Sequence, residues 1–174
     1  PVLSIPADYT AECSAAHPMD DASATDNCVG DITVTVVETT IAGLCAGDYS
    51  ITRAFTATDA CGNATSATQT ITIIDTTAPV FTFVPADYTA ECSAAHPMDD
   101  ASATDNCGTV TISVVATTVA GSCTGNYIIT RVFTAIDDCD NASTATQTIT
   151  IVDTTSPVWD EFDPNVTVEC TDGD

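Results

Sequence analysis

The sequence contains almost no positive charge. Its 174 residues include 25 aspartates and glutamates but only two basic residues, Arg53 and Arg131. Nucleic acid binding needs a basic face that neutralises phosphates, so nucleic acid is excluded as a natural partner. The chain also lacks a signal peptide, a membrane-spanning apolar run and an initiator methionine. These features predict a mature piece, or a window from a longer array.

The sequence also lacks the motifs of common metal sites and active sites. No CxxC pair occurs and each repeat holds one histidine, which disfavours structural zinc. The sequence has no GxSxG, HExxH or glycine-rich phosphate loop. Its acidic loop residues recur identically in duplicated units, whereas a glycosidase needs two carboxylates with separated pKa values in one cleft. An enzyme is therefore not expected.

A long internal repeat divides the chain. Residues 6–28 recur without change as residues 85–107. The predicted domains are residues 1–78 and residues 79–156, which we call unit one and unit two. Identical tandem copies favour an array that gains length by stacking units.

Residues 157–174 match only the first strand of a further unit. A lone strand cannot bury its apolar side chains or pair its backbone donors. We therefore expect it either to continue into a third domain or to be donated to a neighbouring subunit. In both cases it should be ordered and packed against a domain other than units one and two.

Alternating threonine, valine and isoleucine residues predict β-structure throughout each unit. In unit one the expected strands are residues 2–13 (an edge strand interrupted by Pro6), 21–27, 32–41, 49–60 and 66–75, and the turn region 42–48 is a candidate for one more short strand. On the long strand, Tyr49, Ile51, Phe55 and Ala57 share a face that should point to the core. About six or seven short strands in each unit predict an all-β fold of tandem immunoglobulin-like β-sandwiches.

Nine cysteines, four at matching places in each unit, predict an extracellular setting and disulfide staples for small cores. A strand as long as residues 49–60 spans roughly 40 Å, so the cysteines flanking it, Cys45 and Cys61, cannot be bridged. The third strand excludes Cys28–Cys45 in the same way. If all pairing lies within a unit, the bridges are Cys13–Cys45, Cys28–Cys61, Cys92–Cys123 and Cys107–Cys139. Cys170 is then left to bond with the counterpart of Cys45 in another domain.

Three motifs resemble the hyalin-repeat-like, immunoglobulin-like modules that occur in tandem in very large bacterial cell-surface proteins and gliding adhesins. They are residues 25–28 (TDNC), 57–63 (ATDACGN) and 75–79 (DTTAP). The second unit departs from the pattern at Asp140, which replaces the glycine. The resemblance implies a stalk or fibre element outside the cell, without catalytic activity.

Oxygen-bearing side chains near the junction between the units suit calcium, which takes six to eight oxygen ligands. In an immunoglobulin-like sandwich, the second strand and the long strand both end where the domain begins. Acidic residues after these strands of unit two should therefore face the end of unit one. The predicted ligands are Asp75, Asp105, Asn106, Asp137 and Asp138. The arrangement resembles interdomain calcium sites of cadherins and bacterial adhesin stalks; the alternative is that these residues only cap turns.

The sequence also contains candidate glycosylation sites. Asn63, Asn141 and Asn165 lie in N-glycosylation sequons, and Thr76 and Thr154 resemble bacterial O-glycosylation sites.

The two arginines lie on the core-facing side of the long strands and need a carboxylate partner. We expect Glu12 to pair with Arg53, and Glu91 with Arg131.

Together these features predict a structural repeat protein of an extracellular filament or cell-surface stalk, with calcium as the candidate cofactor. Its expected partners are further identical repeats, reached by self-association or by continuation of the chain, and glycans. The competing interpretation is an adhesin module that holds a glycan, ice or a host surface.

Overall fold

The computed structural model describes residues 1–28 and 30–158, in which every regular element is a strand. Unit one contains β1 (Val2–Ser4), β2 (Tyr9–Glu12), β3 (Ser23–Thr25), β4 (Ile32–Ala42), β5 (Tyr49–Asp59) and β6 (Ala64–Ile74). Unit two contains β7 (Val80–Phe83), β8 (Tyr88–Glu91), β9 (Ser102–Thr104), β10 (Val110–Ala120), β11 (Tyr127–Asp137) and β12 (Ala142–Val152). The predicted all-β fold is confirmed. The predicted strand of a further unit, including Asn165 and Cys170, falls almost entirely outside the described residues.

Each unit has two layers. A four-stranded sheet has the order β2-β6-β5-β4 in unit one and β8-β12-β11-β10 in unit two. The short strands β1 and β3 form the second layer of unit one, and β7 and β9 form that of unit two. Within the larger sheets, β2 runs parallel to β6 and β8 runs parallel to β12, while the other pairs are antiparallel.

The edge strand expected in residues 2–13 is divided between the two layers. β1 pairs with β3, whereas β2 pairs with β6 on the other sheet. Pro6 lies between them and has no N–H to donate to either ladder. The interruption at Pro6 is therefore a change of sheet.

The core is small and is built by alternation along β5 and β6. Ile51, Phe55 and Ala57 are buried, as predicted for the long strand, and Ile71 and Ile73 pack beside them. Unit two repeats this set with Ile129, Phe133, Ala135, Ile149 and Ile151. A unit with so few buried apolar side chains depends on additional staples.

Both arginines are buried in the core, but the predicted partners are wrong. The Arg53 Nε atom donates to Glu38, which lies directly opposite on β4, at 2.9 Å. Its guanidinium also donates to the Asp20 carbonyl oxygen at 2.8 Å and to the Gln69 side chain at 3.2 Å. Arg131 likewise donates to a backbone carbonyl, that of Asp99, at 2.8 Å.

Glu12 and Glu91, which were expected to pair with the arginines, instead form hydrogen bonds to the segments that follow β6 and β12. The Glu12 carboxylate accepts hydrogen bonds from the backbone N–H and the hydroxyl of Thr76. Glu91 accepts the same two bonds from Thr154. The chain leaving β6 is thus held against β2, which fixes Asp75 at the end of unit one.

β4 and β10 lie at the edges of the larger sheets, and they expose apolar side chains. Val37 and Ile41 on β4 are 66% and 57% exposed, and Val115 and Val119 on β10 are each 64% exposed. These side chains give each unit an exposed apolar strip on one edge strand of its larger sheet.

Candidate functional site at the junction between the units

Two disulfide bridges cross the junction between the units. Cys13, which follows β2, is bonded to Cys107, which follows β9, with a Cα–Cα distance of 6.1 Å. Cys45, in the loop between β4 and β5, is bonded to Cys139, which follows β11, with a Cα–Cα distance of 5.1 Å. One end of unit one is therefore fastened covalently at two points to the facing end of unit two.

This pairing corrects the predicted one. Cys13–Cys45 and Cys107–Cys139 are replaced by the bridges across the junction, and Cys28–Cys61 and Cys92–Cys123 are not formed. Cys45 and Cys61 lie at opposite ends of β5 and are not bridged, as the length of this strand predicts. The error was the assumption that every bridge stays within one unit.

Three of the predicted calcium ligands meet beside these bridges. Asp75 follows β6, Asp105 follows β9 and Asp137 ends β11, and one carboxylate oxygen from each lies within 4.8 Å of the others. Asp75 is 7% exposed and Asp137 is 6% exposed. We call these three residues the junction carboxylates.

In each junction carboxylate, the Oδ1 atom accepts a hydrogen bond from a backbone N–H within its own turn. The Oδ1 atom of Asp75 accepts from the Thr77 N–H at 3.1 Å, and the Oδ1 atoms of Asp105 and Asp137 accept from the N–H groups two residues later at 2.8 Å. The Oδ2 atom of Asp105 is buried without a hydrogen-bond partner among the described residues. The site therefore offers buried carboxylate oxygen that its surroundings do not satisfy.

Of the other two predicted ligands, Asp138 lies outside this cluster, and Asn106 stays a prediction. The exposed Asp138 carboxylate accepts from the N–H and hydroxyl of Thr109, at 3.0 Å and 2.9 Å. The Asn106 amide donates to the sulfur of Cys107 at 2.8 Å. Asp138 thus holds the segment before β10, and the Asn106 amide lies against the Cys13–Cys107 bridge, where it also donates to the Cys13 sulfur at 3.6 Å.

Asn141 is a junction residue that the sequence analysis assigned only to glycosylation. Its Nδ2 atom donates to the Asp75 carbonyl oxygen at 3.1 Å and to the Asp137 Oδ2 atom at 3.0 Å. It therefore links the end of unit one to the carboxylate of unit two. The signal that could have identified it is its place beside Asp137, two residues after Cys139.

Gly47 packs tightly against the end of its own unit and, less tightly, against unit two. A Cβ atom at this position would lie 2.6 Å from the Asp75 Cβ atom and 3.2 Å from the Cys107 Cβ atom. Cβ atoms do not approach others so closely without a shift of the backbone. A side chain here would displace the junction.

The predicted glycosylation sites have different surroundings. Asn63 is exposed and donates to the Asp59 carboxylate at 2.8 Å, while Asn141 already uses its amide across the junction, which disfavours a glycan there. The Thr76 and Thr154 hydroxyls donate to glutamates, and an O-glycan would remove the donated hydrogen. Modification at these positions stays a prediction.

Residues 1–73 match the family model of the HYR-like domain with 4 cysteines, and all four cysteines of unit one lie in the matched segment. This match supports an HYR-like repeat and is consistent with an extracellular or cell-surface location. A search of curated proteins finds no match. The described residues form no helix that could cross a membrane.

Similar solved structures include cadherin ectodomains. The human mucin-like protocadherin EC1-2 is 12% identical, with a TM-score of 0.35, and the match covers 87% of this chain and 98% of that one. Drosophila N-cadherin EC1-4 is 14% identical, with a TM-score of 0.35, and the match covers 84% of this chain and 48% of that one. Similarity this weak gives no information about the junction site.

The junction carboxylates repel one another. Burial raises the pKa of Asp75 above its ordinary value, the Thr77 N–H opposes this shift, and the negative charges of Asp105, Asp137 and Glu12 add to it. A carboxyl group whose pKa is raised by folding contributes stability below its unfolded pKa, and that contribution is lost as pH rises through the folded pKa. At neutral pH without divalent cations, the ionised Asp75 should therefore destabilise the fold.

We predict that Asp75→Asn raises the melting temperature at neutral pH in the presence of a chelator. Asparagine keeps the Oδ1 acceptor and removes the charge. A gain of about 1 kcal/mol would raise the melting temperature by roughly 4–8 °C in a domain of this size. Asp153→Asn, at the equivalent exposed position of unit two, is the matched control and should change little. A lower melting temperature for Asp75→Asn alone would contradict the repulsion.

Proposed function

We propose that this chain is a structural segment of an extracellular filament or cell-surface stalk of the kind found in large bacterial surface proteins. The observation that carries this proposal is the pair of disulfides across the junction. A binding module that acts alone needs no covalent link to its neighbour. A load-bearing array does, because the link keeps successive units in line and in contact.

The rest of the junction supports a rigid connection. Asn141 bonds to both units, and Gly47 lets them approach closely. Because these contacts lie beside two bridges, bending at the junction would have to break hydrogen bonds and distort two disulfides. The partners of this chain are accordingly further units of the same type, and glycans on its exposed surface are a secondary expectation.

We infer that calcium binds at the junction carboxylates. Three carboxylates close together repel one another, and a divalent cation would convert that repulsion into attraction. The buried, unpartnered Oδ2 atom of Asp105 supports a ligand in this position. Backbone carbonyls and water would complete the coordination shell. The cation would thus add a third link between the units.

An adhesive module is the second candidate, and the exposed apolar strip on β4 and β10 favours it. Edge strands with free backbone groups and exposed valines can receive an extended partner. In this case the chain would act as separate rods that bind a ligand, and the junction would serve as a spacer.

Calcium should raise the melting temperature of the chain relative to a chelator. Free calcium at 100 times its Kd stabilises a folded protein by about 2.7 kcal/mol. Asp105→Asn should abolish most of this gain while keeping the turn bond to Cys107. Asp26→Asn, the equivalent change at the exposed end of unit one, should keep it. Equal melting curves with calcium and with chelator would reject the site.

Electron microscopy of material purified from its source tests the main proposal. We expect long filaments or stalks in which the units are stacked end to end. Reduction under mild denaturing conditions should shorten them, because it breaks the bridges between units. Separate short rods that adhere to a glycan or a surface would favour the adhesive module.

A further inference from the structure

Four exposed cysteines have no disulfide partner among the described residues. They are Cys28 and Cys61 in unit one, and Cys92 and Cys123 in unit two. Cys28 and Cys61 line one cavity at the free end of unit one. Cys92, which follows β8, and Cys123, in the loop between β10 and β11, occupy the free end of unit two. Each end of the described chain thus carries two thiols.

The two existing bridges follow one pairing rule. The cysteines of each unit can be numbered one to four in chain order. The first cysteine of unit one then bonds to the second of unit two, and the third of unit one bonds to the fourth of unit two. Both bridges have the same sequence separation, 94 residues. Cys28 and Cys61 are the second and fourth cysteines of unit one, while Cys92 and Cys123 are the first and third of unit two. The unpaired cysteines are therefore the two halves of one more junction.

The free end of unit one already has the local structure of the bonded end of unit two. The Cys28 N–H donates to the Asp26 Oδ1 atom at 2.8 Å, as the Cys107 N–H does to Asp105. The Cys61 N–H donates to the Asp59 Oδ1 atom at 2.9 Å, as the Cys139 N–H does to Asp137. The acceptor half of the junction therefore exists before any partner binds.

The free end of unit two matches the bonded end of unit one in the same way. The Cys92 N–H donates to the Val152 carbonyl oxygen at 2.8 Å, and the Cys13 N–H donates to the Ile74 carbonyl oxygen at 2.9 Å. The loop cysteines are held alike, because the carbonyl oxygens of Cys123 and Cys45 each accept, at 3.1 Å, from the N–H three residues later.

We propose that a second copy of this chain bonds head to tail to the first through these four cysteines. Cys92 of one copy would pair with Cys28 of the next copy, and Cys123 would pair with Cys61. Asp153 would then face Asp59 and Asp26, the counterparts of Asp137 and Asp105, although the Oδ2 atom of Asp26 is ion-paired with the Pro1 ammonium at 2.9 Å. The two ends differ, so the contact is heterologous and propagates into an open chain. This inference rests on the proposed array function and adds its partner and its covalent chemistry.

Each new bridge needs a two-electron oxidant, and a small disulfide such as oxidised glutathione can supply it. A thiolate of one copy attacks the small disulfide, one glutathione leaves, and the thiolate of the other copy displaces the second. The two cysteine sulfurs lose two electrons, their protons pass to the two glutathione thiolates, and one S–S bond replaces another.

Two variants with complementary ends test the proposal. Both are made in a Cys170→Ser background, which removes the ninth cysteine and is called the unmodified chain below. One variant carries Cys28→Ser and Cys61→Ser, and the other carries Cys92→Ser and Cys123→Ser; both keep the four bridged cysteines. Each chain is oxidised with glutathione under native conditions and analysed on denaturing, non-reducing gels. The unmodified chain should give a ladder in steps of 17.8 kDa. Each variant alone should stay monomeric, and their mixture should stop at a dimer.

Several outcomes would overturn head-to-tail bonding. They are dimers from one variant alone, longer ladders from the mixture, or no ladder from the unmodified chain. Circular dichroism of both variants checks that their β-structure is unchanged. If the source material forms filaments but the ladder is absent, the bonding fails and the filament proposal survives. If the ladder forms but the source material contains only separate rods, the filament proposal fails instead.

Discussion

Two disulfide bridges between neighbouring units hold this structure together. Each unit buries only a small set of apolar side chains, so its core gives limited stability. Each bridge closes a loop of about 94 residues, and the chain-entropy model assigns roughly 4–5 kcal/mol to a loop of that size. Because the bridges cross the junction, they stabilise the arrangement of the two units as well as their folds. A disulfide within one unit would leave its neighbour free to rotate.

The junction carboxylates depend on this covalent link. Asp75 would move away from Asp105 and Asp137 if the units were free, because the charges repel and their burial removes hydration. The bridges keep them together at a site where a cation would be attracted. Asn141 and Gly47 refine the contact by satisfying acceptors on both units and by allowing the close approach. Stiffness and cation binding therefore have the same structural origin, which suits a chain of stacked units.

Alternation and strand parity predicted much of this structure. They gave the long strands, the buried face with Ile51 and Phe55, and the meeting of Asp75 with Asp105 and Asp137, since these depend on local sequence and on where strands end. The bridges could not be obtained in this way, because identical repeats leave within-unit and between-unit pairing equally consistent with the spacing. The partner of Arg53 was missed because Glu38 lies opposite it only in the actual register of β4 and β5. Asp138 was predicted to lie beside Asp137 as a ligand, but consecutive side chains at the end of a strand point to opposite sides, and Asp138 bonds to Thr109.

Fragment mapping tests the bridges between units most directly. In a chain with Cys28, Cys61, Cys92, Cys123 and Cys170 changed to serine, cyanogen bromide cleaves after Met19 and Met98, and trypsin then cleaves after Arg53 and Arg131. Without reduction, fragment 1–19 should remain joined to fragment 99–131, through Cys13 and Cys107. Fragment 20–53 should remain joined to fragment 132–174, through Cys45 and Cys139. Finding fragment 1–19 joined to fragment 20–53, and 99–131 joined to 132–174, would place the bridges within the units and contradict this account.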